Sequence, residues 1–391
     1  MKFNKLGDTN LDVSSICLGT MTFGEQNNQK ESFEIMNYAT EKGINFFDTA
    51  EQYSGPCTKD SYGKTETIIG NWFIEKNNRE KIILATKISG PGKQWIRGGN
   101  LQYTEKNITL AIENSLKRLK TDYIDLYQLH WPERNTNYYK KLVYNFNDND
   151  RSWNDIESIL LVLKKFIDQG KIRYIGICNE TSWGLLKFLE LSKLYNLPRI
   201  VSIQNPYNLL NRSYETDLAE ISIREKSGLL AYSPLAFGVL TGKYRNYQEP
   251  KGSRLKLFKD YFASYSGKLS TAATEKYFQI SKKYNISLTQ LSLAFINRQP
   301  FVTSSIIGAT TINQLKENIE SLNVNLKYEI IDEINLIYKN NPNPTFFRES
   351  RKLIYRMPSY LITAVKLLLK GRWNYLGNKI KKNLNYKNIL N

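Results

Sequence analysis

A chain of 391 residues, 41% apolar and 13% aromatic, can bury a large core, which excludes disorder over most of its length. One His and three Cys exclude a catalytic zinc centre or a multi-finger module, which need several imidazole or thiolate ligands, so no metal site is expected and any imidazole chemistry must run through His130. The net charge of +18 is uneven: residues 342–391 carry eleven Lys and Arg against the single acid Glu349, and the first 341 residues keep only +8.

In chain order, Phe3-Asn-Lys-Leu6 and Leu11-Asp-Val-Ser14 flank Gly7-Asp8 and predict a β-hairpin, a candidate plug for a barrel bottom. Eight short apolar runs follow, at 15–19, 45–49, 82–87, 124–130, 174–178, 200–204, 229–233 and 305–308. Between them lie segments of helical period, among them 31–42, 105–119, 155–169, 182–195, 213–226 and 312–321. Eight strands alternating with helices predict an α/β fold, a (β/α)8 TIM barrel. The segments 88–103, 131–154 and 241–274 are long and fall after strands, where such a barrel builds its sites. After Asn340-Asn-Pro-Asn-Pro344 the rhythm stops, so a barrel over 1–341 and an extension over 342–391 are expected.

Polar residues collect at the predicted strand ends. Asp48 closes the second run, Lys87 the third and His130 the fourth, with Tyr53 five residues past Asp48. Each has an ordinary structural explanation alone, a strand-end Asp as a cap or a lone His as a satisfied core residue. Together they face one rim. A buried Lys beside a carboxylate stabilises a nearby phenolate, lowering the Tyr pKa so that the phenol can protonate a carbonyl oxygen near neutral pH. Asp48 would hold Lys87, and His130 would orient the substrate oxygen. Trp131 is the expected wall of a substrate pocket with Tyr53 and His130, and Tyr138, Tyr139, Tyr144 and Trp153 are expected to line its opening.

Longer motifs carry a resemblance over about residues 1–341. They include Leu18-Gly-Thr-Met-Thr-Phe-Gly24, Gly43-Ile-Asn-Phe-Phe-Asp-Thr-Ala-Glu-Gln-Tyr53, Asp122-Tyr-Ile-Asp-Leu-Tyr-Gln-Leu-His-Trp-Pro132, Gly170-Lys-Ile-Arg-Tyr-Ile-Gly-Ile-Cys-Asn-Glu180, Ile203-Gln-Asn-Pro-Tyr-Asn208, Ala231-Tyr-Ser-Pro-Leu235 and Ile307-Gly-Ala-Thr-Thr311. In these the chain resembles the aldo-keto reductases, in their bacterial Tas-like NADP(H)-dependent branch. The resemblance implies Tyr53 as general acid, Lys87 and Asp48 as its activators and His130 as the residue that orients the carbonyl. It implies Asn179 and Gln204 on the nicotinamide carboxamide, Tyr232 stacked on the nicotinamide, and Thr20, Asp48 and Cys178 as further cofactor contacts. Ser233, Pro234 and Leu235 with Gly238, Leu240, Gly242 and Lys243 correspond to the pyrophosphate loop. Ile307, Gly308, Thr310, Thr311, Gln314, Glu317 and Asn318 correspond to the adenosine end.

Two departures stand out. Cys178 replaces a Ser found in many members, and a thiol is a weak donor. At the 2′-phosphate subsite Thr310, Thr311 and Gln314 stand where many relatives have Arg or Lys, so NADP(H) preference would rest on hydroxyl and backbone contacts. The implied function is reduction of an aldehyde or ketone with NADPH/NADP+, with NADH left open. The competing class is a non-catalytic or redox-sensing nucleotide-binding regulatory subunit.

Residues 345–391 fall outside the resemblance. Tyr360–Lys370 reads as an apolar helix with a narrow stripe of Thr363, Lys366 and Lys370, flanked by cations on both sides. Docking on the barrel itself, an anionic membrane surface and a protein partner all suit it, whereas nucleic acid does not, because aliphatic residues dominate. Three distant Cys, an N-terminus without an apolar signal stretch and no run long enough to span a bilayer lead to the expectation of a cytoplasmic protein. Nothing in the sequence fixes an oligomeric state.

Overall fold

A computed structural model describes residues 1–138, 144–145 and 155–346. The expected extension lies outside these residues from 347 onward, as do Tyr139 and Trp153. Strands β1 (Phe3–Lys5) and β2 (Asp12–Ser14) pair antiparallel as a hairpin. The next eight are β3 (Ile16–Gly19), β4 (Phe46–Asp48), β5 (Ile83–Ile88), β6 (Ile124–Leu129), β7 (Ile172–Cys178), β8 (Ile200–Pro206), β9 (Gly228–Tyr232) and β10 (Val302–Ile307). They pair parallel in chain order, and β10 closes on β3 through Ser305–Ile16, Ile306–Cys17 and Ile307–Leu18. This is the (β/α)8 barrel expected from the eight runs.

Helices connect the strands: α1 (Gln29–Glu41), α2 (Lys64–Lys76), α3 (Glu105–Leu119), α4 (Ile156–Asp168), α5 (Ser182–Leu194) and α6 (Leu218–Arg224). Two short turns, α7 (Arg254–Leu257) and α8 (Lys259–Phe262), interrupt the long segment after β9, and α9 (Lys268–Lys283) begins inside it. The last are α10 (Leu288–Asn297), α11 (Ile312–Glu320) and α12 (Tyr328–Asn340). Several start on polar caps that satisfy a free backbone N–H: Thr104 for α3, Thr181 for α5, Ser287 for α10 and Thr311 for α11, with a full Asn28–Glu31 capping box on α1. Such a cap contributes about 1 kcal/mol. Among the described residues no helix is long and apolar enough to cross a membrane.

Two layers of the barrel interior decide where chemistry is possible. At the bottom, Leu6 and Val13 of the hairpin pack with Cys17, Phe46, Ala85, Leu126, Val201, Leu230 and Ile306. Gly7 lets the hairpin reach that depth: its φ is +59°, and a Cβ there would lie 2.3 Å from the Val201 carbonyl oxygen. Strand side chains alternate faces, so residues two positions on from this apolar layer also point inward, one layer higher. Phe46 thus leads to Asp48, Ala85 to Lys87, Leu126 to Gln128 and His130, and Leu230 to Tyr232. The upper layer is polar.

Candidate active site

A cavity of about 940 Å³ opens over that polar layer, at the C-terminal ends of the strands. Its floor is a buried ion pair. Lys87 Nζ lies 2.6 Å from Asp48 Oδ2 and donates to the Thr49 carbonyl at 2.8 Å. The second Asp48 oxygen accepts from Gln204 Nε2 at 2.8 Å and from Gln128 Nε2 at 3.2 Å, and Gln204 also donates to Gln128 Oε1. Asp48 and Lys87 are almost inaccessible, and their mutual neutralisation with these amide bonds makes that burial tolerable.

Above the pair, the Lys87 ammonium sits 5.2 Å from the centre of the Tyr53 ring, and the Tyr53 and His130 rings meet edge to face at 5.8 Å. Asp48, Tyr53, Lys87 and His130, gathered from the ends of three strands and the segments that follow them, are therefore one cluster. The Tyr53 hydroxyl makes no hydrogen bond among the described residues, and His130 Nδ1 is buried without a partner. Burial, then Lys87 and Lys93, push His130 well below its usual range, so the imidazole is neutral. The expected lowering of the Tyr53 pKa is not found: burial and the Asp48 carboxylate raise it well above the ordinary phenol value. Lys87 spends its hydrogen bonds on Asp48 and Thr49, so the phenol stays protonated, as a proton donor must.

Trp131 is buried beside His130, with ring centroids 4.9 Å apart, and its indole N–H donates to the Pro91 carbonyl at 3.1 Å. It lines the cavity, as does Tyr138, whereas Tyr144 is exposed and does not. Behind this wall, fully buried Glu51 accepts from the Ser89 backbone N–H at 2.5 Å and forms an ion pair with Arg97. The 88–103 segment is thereby fastened to the Tyr53 loop.

All the residues considered for cofactor contact line the cavity except Leu240 and Gly242. Leu240 is core, and Gly242 forms a left-handed turn at φ +80°. At one end the Asn179 amide donates to the His130 carbonyl at 2.9 Å and to Cys178 Sγ at 3.3 Å, and its Oδ1 accepts the Tyr232 hydroxyl at 2.7 Å. Burial raises the Cys178 thiol to about 12, so it stays a neutral, weak hydrogen-bonding group. After β9, Ser233, Ala236, Phe237 and Gly238 all have positive φ. Successive turns of this kind aim backbone N–H groups into a concavity suited to an anion. A Cβ on Gly238 would come 2.8 Å from Lys243 Cε, so glycine gives the cation room.

At the other end, Thr310 donates through its N–H and hydroxyl to Gln314 Oε1 at 3.0 and 3.1 Å, and Thr311 caps α11. Residues 310–314 include no cation. The structure supplies one from elsewhere: Arg254 of α7 also lines the cavity, 3.8 Å from where a Cβ on Gly308 would stand. Arg254 and Lys243 form no ion pair with an acid among the described residues, and burial lowers the pKa of both. Arg254 was missed because it lies some 55 residues before the segment it joins, in a loop without a motif. Gln128 was also missed, although it stands two positions before His130 and so shares its face.

Residues 15–339 match the Aldo/keto reductase family. The chain is 45% identical over 341 residues to Protein tas of Escherichia coli (strain K12), covering 87% of this chain and 98% of that protein. It is 33% identical over 345 residues to the uncharacterized oxidoreductase YrpG of Bacillus subtilis (strain 168), covering 86% and 96% of the two chains. With the aldo-keto reductase YhdN of the same organism it shares 31% identity over 347 residues, covering 87% and 94%. A Tas-like chain, matched over nearly the whole barrel, with one polar cavity at the strand ends: the protein belongs to the aldo/keto reductase family of oxidoreductases.

Proposed function

We propose that this oxidoreductase reduces an aldehyde or ketone with NADPH, and that Tyr53 is its general acid. The observation that carries the reading is the Tyr53 hydroxyl, without a hydrogen bond among the described residues and set in the cavity beside Lys87 and neutral His130. A nicotinamide dinucleotide, when bound, supplies the hydride.

The residues present fit that group. Gln204 commits its amide nitrogen to Asp48 and Gln128, and its Oε1 makes no hydrogen bond among the described residues, which suits the N–H of a carboxamide. Tyr232, tied to Asn179, offers a ring, and the left-handed turns from Ser233 to Gly238 with Lys243 suit a pyrophosphate. Arg254, close to Gly308 and lining the same cavity as Thr310 and Gln314, favours an additional phosphate on the adenosine ribose, and hence NADPH over NADH.

Tyr53 gives its proton to the carbonyl oxygen as that oxygen gains charge. Lys87 stabilises the phenolate left behind, Asp48 keeps the ammonium in place, and His130 positions the oxygen as a neutral partner. Tyr53→Phe removes only the acid. NADPH binding, followed by quenching of protein fluorescence, should persist, while turnover falls by roughly 10²–10⁴-fold. Equal turnover in the two proteins would end the assignment. A wild-type chain that binds NADPH and reduces no member of a broad aldehyde and ketone panel would favour a regulatory nucleotide-binding role instead.

A further inference from the structure

Near Tyr53 and His130 the cavity is lined by Lys93, on the segment after β5. Its ammonium lies 5.2 Å over the Trp95 ring and forms no ion pair with a carboxylate among the described residues. Lys93 stands two residues after Pro91, whose carbonyl accepts the indole N–H of Trp131 beside His130, and its charge acts on His130 and the buried Cys57, so it faces the reacting end of the cavity. Among the described residues, the acids that line the cavity are Asp48 and Glu317. The first is neutralised by Lys87, and the second accepts the Ser287 hydroxyl at 2.7 Å.

The segment carrying Lys93 is anchored on both sides. Pro91 accepts the Trp131 indole N–H, Ser89 donates to Glu51, and Arg97 pairs with Glu51. A partly buried cation held near the carbonyl position by fixed neighbours, with no acid partner among the described residues, is arranged to meet an anion.

Resting on the reductase reading above, we propose that the substrate is an anionic carbonyl compound. Its carboxylate or phosphate group is held by Lys93, while its carbonyl lies between Tyr53 and His130. Lys93 thereby selects the substrate class without taking part in proton transfer.

Matched pairs test this with NADPH and the full chain: 4-oxobutanoate against its methyl ester for the carboxylate, and glyceraldehyde 3-phosphate against glyceraldehyde for the phosphate. The ratio of kcat/KM for the anionic member to that for its neutral partner should be about tenfold or more in at least one pair, carried mainly by KM. The pair that shows it identifies the anion. Lys93→Gln should bring that ratio close to one, and Lys93→Glu should invert it. A ratio at or below one in the wild-type chain for both pairs, or an unchanged ratio in Lys93→Gln, overturns the proposal.

Should no carbonyl compound be reduced, the reductase reading falls and binding decides on Lys93. Titration of the NADPH-loaded protein with 4-hydroxybutanoate and glycerol 3-phosphate should give at least one that binds more tightly than its neutral counterpart, methyl 4-hydroxybutanoate or glycerol, and loses that advantage in Lys93→Gln. Equal affinity within both pairs overturns the proposal.

Discussion

The Asp48–Lys87 pair makes a prediction in which stability and activity part company. The two groups touch at 2.6 Å with side-chain exposures of 4% and 0%, so neither charge can turn to water if the other is removed. Lys87→Met leaves a buried carboxylate held only by Gln204 and Gln128, and Asp48→Asn leaves a buried ammonium held only by the Thr49 carbonyl. Each single change should cost about 3–5 kcal/mol, the usual penalty for an uncompensated buried charge. At roughly 2 °C per kcal/mol for a large domain, that is a fall in Tm of about 6–10 °C. The double variant buries no charge, and the amide oxygen that replaces the carboxylate can still accept from both glutamines. Its loss should be smaller than that of either single variant. Urea titration of the three variants and the wild-type chain without cofactor gives the coupling energy, expected at several kcal/mol. Turnover should behave otherwise: all three variants should lose at least about 10²-fold, because none keeps an ammonium that is both present and held beneath Tyr53. Additive stability losses would refute the account of the pair, and recovery of turnover in the double variant would refute the role given to Lys87.

His130 is the only His in the chain, which isolates its titration. Its pKa is depressed in the folded state, so the unfolded chain takes up a proton near pH 6.5 that the folded chain refuses; stability contributed above pH 6.5 is lost as pH falls below it, by up to about 1.4 kcal/mol per pH unit. Denaturant midpoints between pH 7 and pH 5 should show that slope in the wild-type chain and a reduced one in His130→Gln, and identical slopes would rule out a buried neutral imidazole. Arg254→Met removes the guanidinium, which lies 4.9 Å from the centre of the Phe262 ring, and keeps an unbranched apolar chain in its place, so the ratio of KM for NADPH to KM for NADH should rise about tenfold or more. An equal change for both cofactors would assign Arg254 to packing rather than to phosphate recognition.

The strands were legible because each is a short apolar run, several of them ending in a polar residue, and the period of two carried that reading as far as the inward-facing Asp48, Lys87 and His130. Helices were legible only where one face is apolar. In α2 the buried set Thr65, Glu66, Ile68, Ile69, Gly70, Trp72 and Phe73 wraps most of the helix, and α10 is buried almost throughout, so neither shows a clean stripe. Electrostatics were less legible than geometry. Lys87 next to Tyr53 reads as a lowered phenol pKa until the structure shows that its hydrogen bonds go to Asp48 and Thr49, leaving burial and the carboxylate to dominate.

Charge was the feature most misjudged from composition. A surplus of +8 over the first 341 residues is ordinary for a domain of this size when averaged over its surface. The fold does not average it. Lys93, Lys243, Lys251 and Arg254 all line one cavity, and none pairs with an acid among the described residues. They come from two segments, after β5 and after β9, that only barrel closure brings together, so no window of sequence contains them. A concave, low-dielectric site lined by one sign of charge focuses its field on what enters. At the end near Arg254 and Lys243 that field should favour the phosphates of the proposed cofactor. At the end near Lys93 it should equally reward an anion on the molecule being reduced, which is why the matched-pair comparison reads both the fold and the chemistry.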